Sequence, residues 1–136
     1  MNSGTNTAIT CDLAKLLGRV LMAYMFITAG WGKIGGYEAT QGYMEAMGVP
    51  GGLLPLVILA ELGGGLAILF GFLTRWVALG LAIFSLLTAW LFHYHPGDQA
   101  QMINFMKNVT IAGGFIYVAC AGAGRFSIDH LFRRNR

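Results

Sequence analysis

The sequence predicts an all-α fold, a polytopic membrane protein whose four transmembrane helices form a bundle with both termini cytoplasmic. Three observations lead there. Four nearly uncharged stretches, at about residues 13–34, 53–73, 76–92 and 102–121, approach the ~20 apolar residues needed to cross ~30 Å of hydrocarbon. Only 11% of the residues are charged and 56% are hydrophobic, whereas a soluble domain carries roughly a quarter charged residues. The basic residues, finally, are divided unevenly between the two faces that such spans create.

The first stretch is too long for the apolar region of a cleaved signal. It follows Asp12 and runs into Trp31-Gly32-Lys33 instead of a small-residue cleavage site, so a spanning helix is expected. Gly51-Gly52 then breaks the outer connection. In the second stretch Gly63, Ala67 and Gly71 recur every four residues, a small-residue stripe that permits close helix approach. The connection Gly71-Phe72-Leu73-Thr74-Arg75 is so short that the second and third spans must be antiparallel neighbours. The third span has no charge, Pro96-Gly97 breaks the next connection, and Lys107 is the sole charge of the fourth. Within 136 residues these spans and connections leave a single domain, 1–136, as the expected organisation.

With alternating spans, one face collects Lys15, Arg19, Arg75, Arg125, Arg133, Arg134 and Arg136, while Lys33 and Lys107 fall to the other, which accounts for all nine Lys and Arg. The positive-inside rule places the richer face, and both termini, in the cytoplasm. Cys11 and Cys120 then share a reducing face, where no disulfide is expected. The tail Arg133-Arg134-Asn135-Arg136 reads as an anchor at anionic headgroups, so the expected partner is the lipid bilayer and not nucleic acid.

A charge inside a span costs about 2.5–3.5 kcal/mol on insertion scales, so it faces the bundle interior or reaches an interface. On the first helix Arg19, Ala23, Phe26, Gly30 and Lys33 form one stripe at three- and four-residue spacing. Glu61 lies about eight residues, or roughly 12 Å, from the outer end of its helix and requires an ion pair with Lys107 or Lys33. On the fourth helix Asn104, Lys107, Asn108 and Ile111 form another stripe. Depth therefore groups Lys33, Glu61, His93, Asn104, Lys107 and Asn108 into one candidate ligand-binding layer in the outer half, ringed by Trp31, Trp90, Phe92, Tyr94 and Phe105. Two plainer readings stand beside it: Lys33 and His93 snorkel to headgroups, and the aromatic rings form an interfacial belt.

A weak internal repeat relates Gly63-Gly64 and Arg75-Trp76 to Gly113-Gly114 and Arg125-Phe126, and Thr28-Ala29 with Lys33 to Thr88-Ala89 with His93. Duplicated hairpins would place a site between the two halves. His93-Tyr94-His95 with Asp98 has no standard zinc spacing, so no metal site is expected. There is no phosphate loop or nucleophile elbow, and no catalytic residue is assigned.

Several segments together resemble the DoxX family, in particular its short proteobacterial inner-membrane members. They are Gly30-Trp-Gly-Lys33, Tyr43-Met-Glu-Ala-Met-Gly48-Val-Pro50, Glu61-Leu-Gly-Gly-Gly, Gly71-Phe-Leu-Thr-Arg75, the His93 connection and Asn104-Phe-Met-Lys107-Asn108. The resemblance runs from about Leu13 to Asp129. It implies four transmembrane helices in the cytoplasmic membrane and a link to quinone-coupled sulfur oxidation and to thiol or oxidative stress resistance.

The function expected from residues and resemblance together is a redox-associated membrane subunit that binds a quinone-type or small anionic ligand in the outer half. Redox partner subunits or a second copy of the chain are the expected protein partners. Two other classes fit the same residues: a small-solute permease with Glu61 as its coupling site, and a non-catalytic assembly or stability factor.

Overall fold

The computed structural model describes residues 2–136, and among the described residues all regular structure is helical. There are six helices: α1 (Asn2–Gly35), α2 (Tyr37–Ala46), α3 (Gly51–Phe70), α4 (Thr74–His93), α5 (Gln99–Ala121) and α6 (Ile128–Arg134). Helices α1, α3, α4 and α5 are long and apolar enough to cross a membrane, as the hydropathy pattern requires.

Boundaries differ from the sequence expectation at both kinds of helix end. Helix α1 begins at Asn2, about eleven residues before the apolar stretch, and its 34 residues make about 51 Å at 1.5 Å per residue. Once a helix is nucleated each added residue gains a hydrogen bond. The Thr7 and Thr10 hydroxyls also donate to the Ser3 and Asn6 carbonyls within this polar extension. Helix α3 stops at Phe70 because Gly71 takes φ 68, a left-handed cap that glycine adopts without penalty. The connection between the first two spans contains α2, and the basic tail folds as α6. Both were hidden from hydropathy because neither is long or apolar enough to register as a span.

The spans pack as two hairpins, α1 with α3 and α4 with α5. At Gly30 an added Cβ would lie 2.7 Å from the Leu62 backbone nitrogen, and at Gly65 it would lie 2.9 Å from the Ile27 side chain. Glycine is required at these crossings. The small-residue stripe is therefore displaced from the one expected: Gly63 meets only Leu59 of its own helix, while Gly64 faces Leu81 and Gly65 faces α1. The core between the hairpins is Ala23, Phe26, Ile68, Ala78, Leu81, Ala82, Ala112 and Phe115, with the Phe26 and Phe115 rings edge to face at 5.2 Å.

Near the termini the hairpins are tied by charged side chains bonded to backbone. Arg19, 1% exposed, donates through Nη1 to the Ile68 and Leu69 carbonyls at 3.0 and 2.9 Å and through Nη2 to the Phe126 carbonyl. The two α3 carbonyls lie in its last turn, where the Gly71 cap amide reaches only that of Ile68, at 3.2 Å, and the charged donor bonds both. Asp129 of α6 accepts from the Leu73 and Thr74 amides at 2.8 and 2.9 Å, capping α4. Burial pushes its carboxyl up, but the hydrogen bonds from Thr74 and Leu73 and the charge of Arg133 more than offset this, leaving it below the ordinary carboxylate value.

Candidate functional site

The stripe on α1 lies where its spacing predicts: Arg19, Ala23, Phe26 and Gly30 are buried and Lys33 is half-buried. All five face α3 and the interior. Lys33 thereby reaches Glu61, with Nζ donating to Oε1 at 3.1 Å and lying 2.8 Å from Oε2. Of the two partners that the sequence allowed Glu61, the fold selects Lys33. Lys107 is exposed, and among the described residues it makes no ion pair.

Glu61 sits in a widened, π-helical turn over Leu59–Gly63. His93 ends a second such turn, Ala89–His93 in α4. Each widened turn inserts a residue and rotates the side chains that follow, a device common at functional sites. The π turns thus aim the two residues at one space, which regular helix spacing would not reveal.

That space is a cavity of about 500 Å³ lying between the hairpins. Lys33 and Glu61 meet His93 and Asn108 on its wall, so each of the four spans contributes at least one polar group. The paired ends suggested by the repeat, Lys33 and His93, are thus brought to a common site. Asn108 Nδ2 donates to Thr88 Oγ1 at 3.2 Å, and Thr88 Oγ1 donates to the Ser85 carbonyl at 3.1 Å. His93 Nδ1 lies 2.8 Å from Gln101 Oε1, a hydrogen bond that ties the ring to the first turn of α5. One buried polar atom on the wall, Ser85 Oγ, has no hydrogen-bond partner, whereas both Glu61 oxygens lie within 3.1 Å of Lys33 Nζ. A buried polar group of that kind calls for a water or ligand. Arg19 Nε and Thr74 Oγ1 share this state but lie at the opposite end of the bundle.

The apolar wall includes Phe26, Phe84 and Phe92, and α2 closes the cavity with Thr40, Tyr43 and buried Met44. Tyr43 stacks on Phe92 with ring centroids 5.7 Å apart. Of the aromatic ring expected around the polar layer, only Phe92 reaches the cavity. Trp31 and Trp90 are 70% and 63% exposed, and Trp90 stacks on Tyr94, which packs against Phe105. These rings fit the interfacial-belt reading.

The single polar layer expected from depth is therefore divided. Asn104 and Lys107 line an adjoining surface groove with Ile111, while Met25, His93 and Asn108 border both the groove and the cavity. Depth placed all six residues at one level, but the orientation of α5 turns Asn104 and Lys107 outward. Ser85, Thr88 and Gln101 were missed altogether. A serine or threonine in an apolar helix commonly bonds its own backbone and carries no sequence signal of a site. Among the described residues no group of three His, Cys, Asp or Glu side chains converges as a metal site would require. Asp98, the carboxylate beside His93 and His95, caps α5 by accepting from the Ala100 and Gln101 amides.

A small four-span membrane protein with a polar cavity between two helical hairpins is the class that fold and site define. Residues 14–94 match the DoxX family. The chain is also 60% identical over 123 residues to the inner membrane protein YqjF of Escherichia coli K12, covering 90% of this chain and 95% of that one. It is 36% identical over 121 residues to the inner membrane protein YphA of the same organism, covering 84% and 86%. The protein belongs to the DoxX family, and it is a multi-pass protein of the inner membrane. No solved structure matches the chain.

Proposed function

We propose that this protein is a redox-associated membrane subunit that holds a quinone-type or small anionic headgroup in the cavity between its hairpins. The observation that carries the reading is the unpartnered buried hydroxyl of Ser85 on the same wall as the Lys33–Glu61 ion pair, His93 and Asn108. The residues present fit such a headgroup. Lys33 Nζ and Ser85 Oγ are donors for carbonyl or anionic oxygens, and the rings of Tyr43 and Phe92 suit a flat ligand. Glu61 fixes Lys33 in place through their ion pair, and its carboxylate and the His93 imidazole are the cavity's candidate groups for proton transfer. A bound quinone would supply the capacity to take up electrons, which no side chain here has, and a partner subunit would deliver or remove them.

The topology proposed with this reading puts both termini in the cytoplasm, seven basic residues to two, and the cavity in the outer half. A single cysteine introduced at Gln41 of α2 should label only from outside in a variant lacking Cys11 and Cys120; labelling only from inside would invert the assignment.

The ligand is tested by extracting quinone from the purified protein and by titrating a quinone analogue into detergent-solubilised wild type, Lys33→Met, Ser85→Ala and Arg75→Lys. Binding should weaken by about tenfold in Lys33→Met, because a hydrogen bond from a charged donor contributes roughly 1.5–3 kcal/mol, and by less in Ser85→Ala. Arg75→Lys, at the other end of the bundle, should bind as wild type does. If no quinone co-purifies and the analogue binds all four proteins equally, the redox reading fails and liposome flux measurements then separate a permease from an assembly factor.

A further inference from the structure

A second cavity, about 290 Å³, lies at the end of the bundle that carries the termini and plays no part in the reading above. Lys15 of α1, Arg75 of α4, Arg125 of the loop after α5 and Arg133 of α6 bring four cations to it, against Asp12 and Asp129. Both carboxylates are already engaged. Asp129 caps α4, and Asp12 Oδ1 accepts from the Arg125 amide at 3.2 Å while Oδ2 lies 3.8 Å from Arg125 Nε. Lys15 and Arg133 make no side-chain hydrogen bond among the described residues, so the cavity holds an excess of uncommitted positive charge.

Arg75 supplies geometry as well as charge. Its Nη1 donates to the Ala119 and Cys120 carbonyls at 3.2 and 2.8 Å, which fixes the guanidinium plane at the end of α5. The Nε and Nη2 edge has no protein partner among the described residues, and it borders Gly122, where an added Cβ would lie 3.3 and 3.2 Å from those two nitrogens. Gly122 and Gly124 both have positive φ, 75 and 81, so the loop crosses this edge with no side chain to cover it. A free Nε/Nη2 edge held in plane is the fork that matches two oxygens of a phosphate. Beside the cavity, Phe126, Leu131 and Phe132 are 42%, 58% and 59% exposed, apolar contacts suited to the acyl region below a headgroup.

We infer that this cavity binds a phosphate group, carried by an anionic phospholipid or present as free phosphate, on the Nε/Nη2 edge of Arg75 with Lys15 and Arg133 as flanking cations. The test is native mass spectrometry and thermal melting of the full chain in a neutral detergent with phosphatidylglycerol, phosphatidylethanolamine or inorganic phosphate. Wild type is compared with Lys15→Gln/Arg133→Gln and with Arg134→Gln/Arg136→Gln, which removes the same charge from the tail outside the cavity. Arg133 lends its charge to the Asp129 cap, so Lys15→Gln/Arg133→Gln should melt somewhat below the control without ligand, and each variant's response to ligand is read against its own ligand-free melting point. Phosphatidylglycerol should be retained over phosphatidylethanolamine by wild type, with an affinity about tenfold lower in Lys15→Gln/Arg133→Gln and within about twofold in the control. Displacement of the lipid by millimolar inorganic phosphate would assign the site to free phosphate; resistance to it would assign the site to the lipid. Equal retention of both lipids with no response to phosphate, or equal losses in both double variants, would overturn the inference and leave only diffuse surface charge.

Discussion

The two ends of the bundle use charge in opposite ways. Near the termini, Arg19 and Arg75 donate to carbonyls and Asp129 accepts from amides at helix ends, so charge fixes how the helices meet. At the α2 end, Lys33 and Glu61 bond to each other, His93 bonds to Gln101, and all face a cavity. There the widened turns and the unpartnered Ser85 hydroxyl hold polar groups available and do not use them up on the backbone. A charge inside a membrane helix is thus not by itself a sign of a ligand site; what distinguishes the two cases is whether backbone groups or a cavity receive it.

The sharpest way to break this contrast is Arg19→Met. Three carbonyls would lose a charged donor in a buried place, and at roughly 1.5–3 kcal/mol per such bond the expected loss is at least about 3 kcal/mol, read as a large drop in melting temperature and folded yield in detergent. A melting point close to wild type would mean that Arg19 is not the tie described. Ligand binding by whatever folds should be unaffected.

At the other end the expected loss is smaller, because the Lys33 side chain remains 27% exposed and water offsets part of an unpaired charge. Glu61→Gln should cost about 2 kcal/mol, below the 3–5 kcal/mol of a fully buried pair broken on one side. Glu61→Gln combined with Lys33→Met should recover part of that loss, whereas Glu61→Gln with Lys107→Met should simply add the two single effects. Coupling to Lys107 in place of Lys33 would show that the division between cavity and groove is misplaced.

The smallest effect concerns pH at the termini end. The Asp129 carboxyl lies below its ordinary value in the folded protein, so its contribution is fully present above about pH 4 and is lost as pH falls through the folded value. The stability difference between wild type and Asp129→Asn should therefore shrink as pH is lowered from about 5 toward 3. A constant difference over that range would mean that the carboxylate charge does not hold α6 on the α3–α4 turn.

Much of this was legible in the chain alone. Hydropathy located four spans because hydrocarbon thickness sets a minimum apolar length, and the helical repeat placed Arg19, Ala23, Phe26, Gly30 and Lys33 on one buried face. It also placed Asn104, Lys107, Asn108 and Ile111 on one groove. The cost of a deep carboxylate required that Glu61 have a cationic partner.

Only the tertiary structure decided which cation that was, that Lys107 and Asn104 stand outside the cavity, and that Ser85, Thr88 and Gln101 stand beside or within the polar network. Helices α2 and α6 were invisible for a related reason: what places them, the burial of Met44 in one and the Asp129 hydrogen bonds to the α3–α4 turn in the other, exists only in the folded chain. Periodicity is a property of one helix, fixed by its own backbone. Which neighbour a face meets depends on how helices rotate and cross, here on glycine contacts such as Gly30 against Leu62 and on two widened turns, Leu59–Gly63 and Ala89–His93, that shift the register where the site is built.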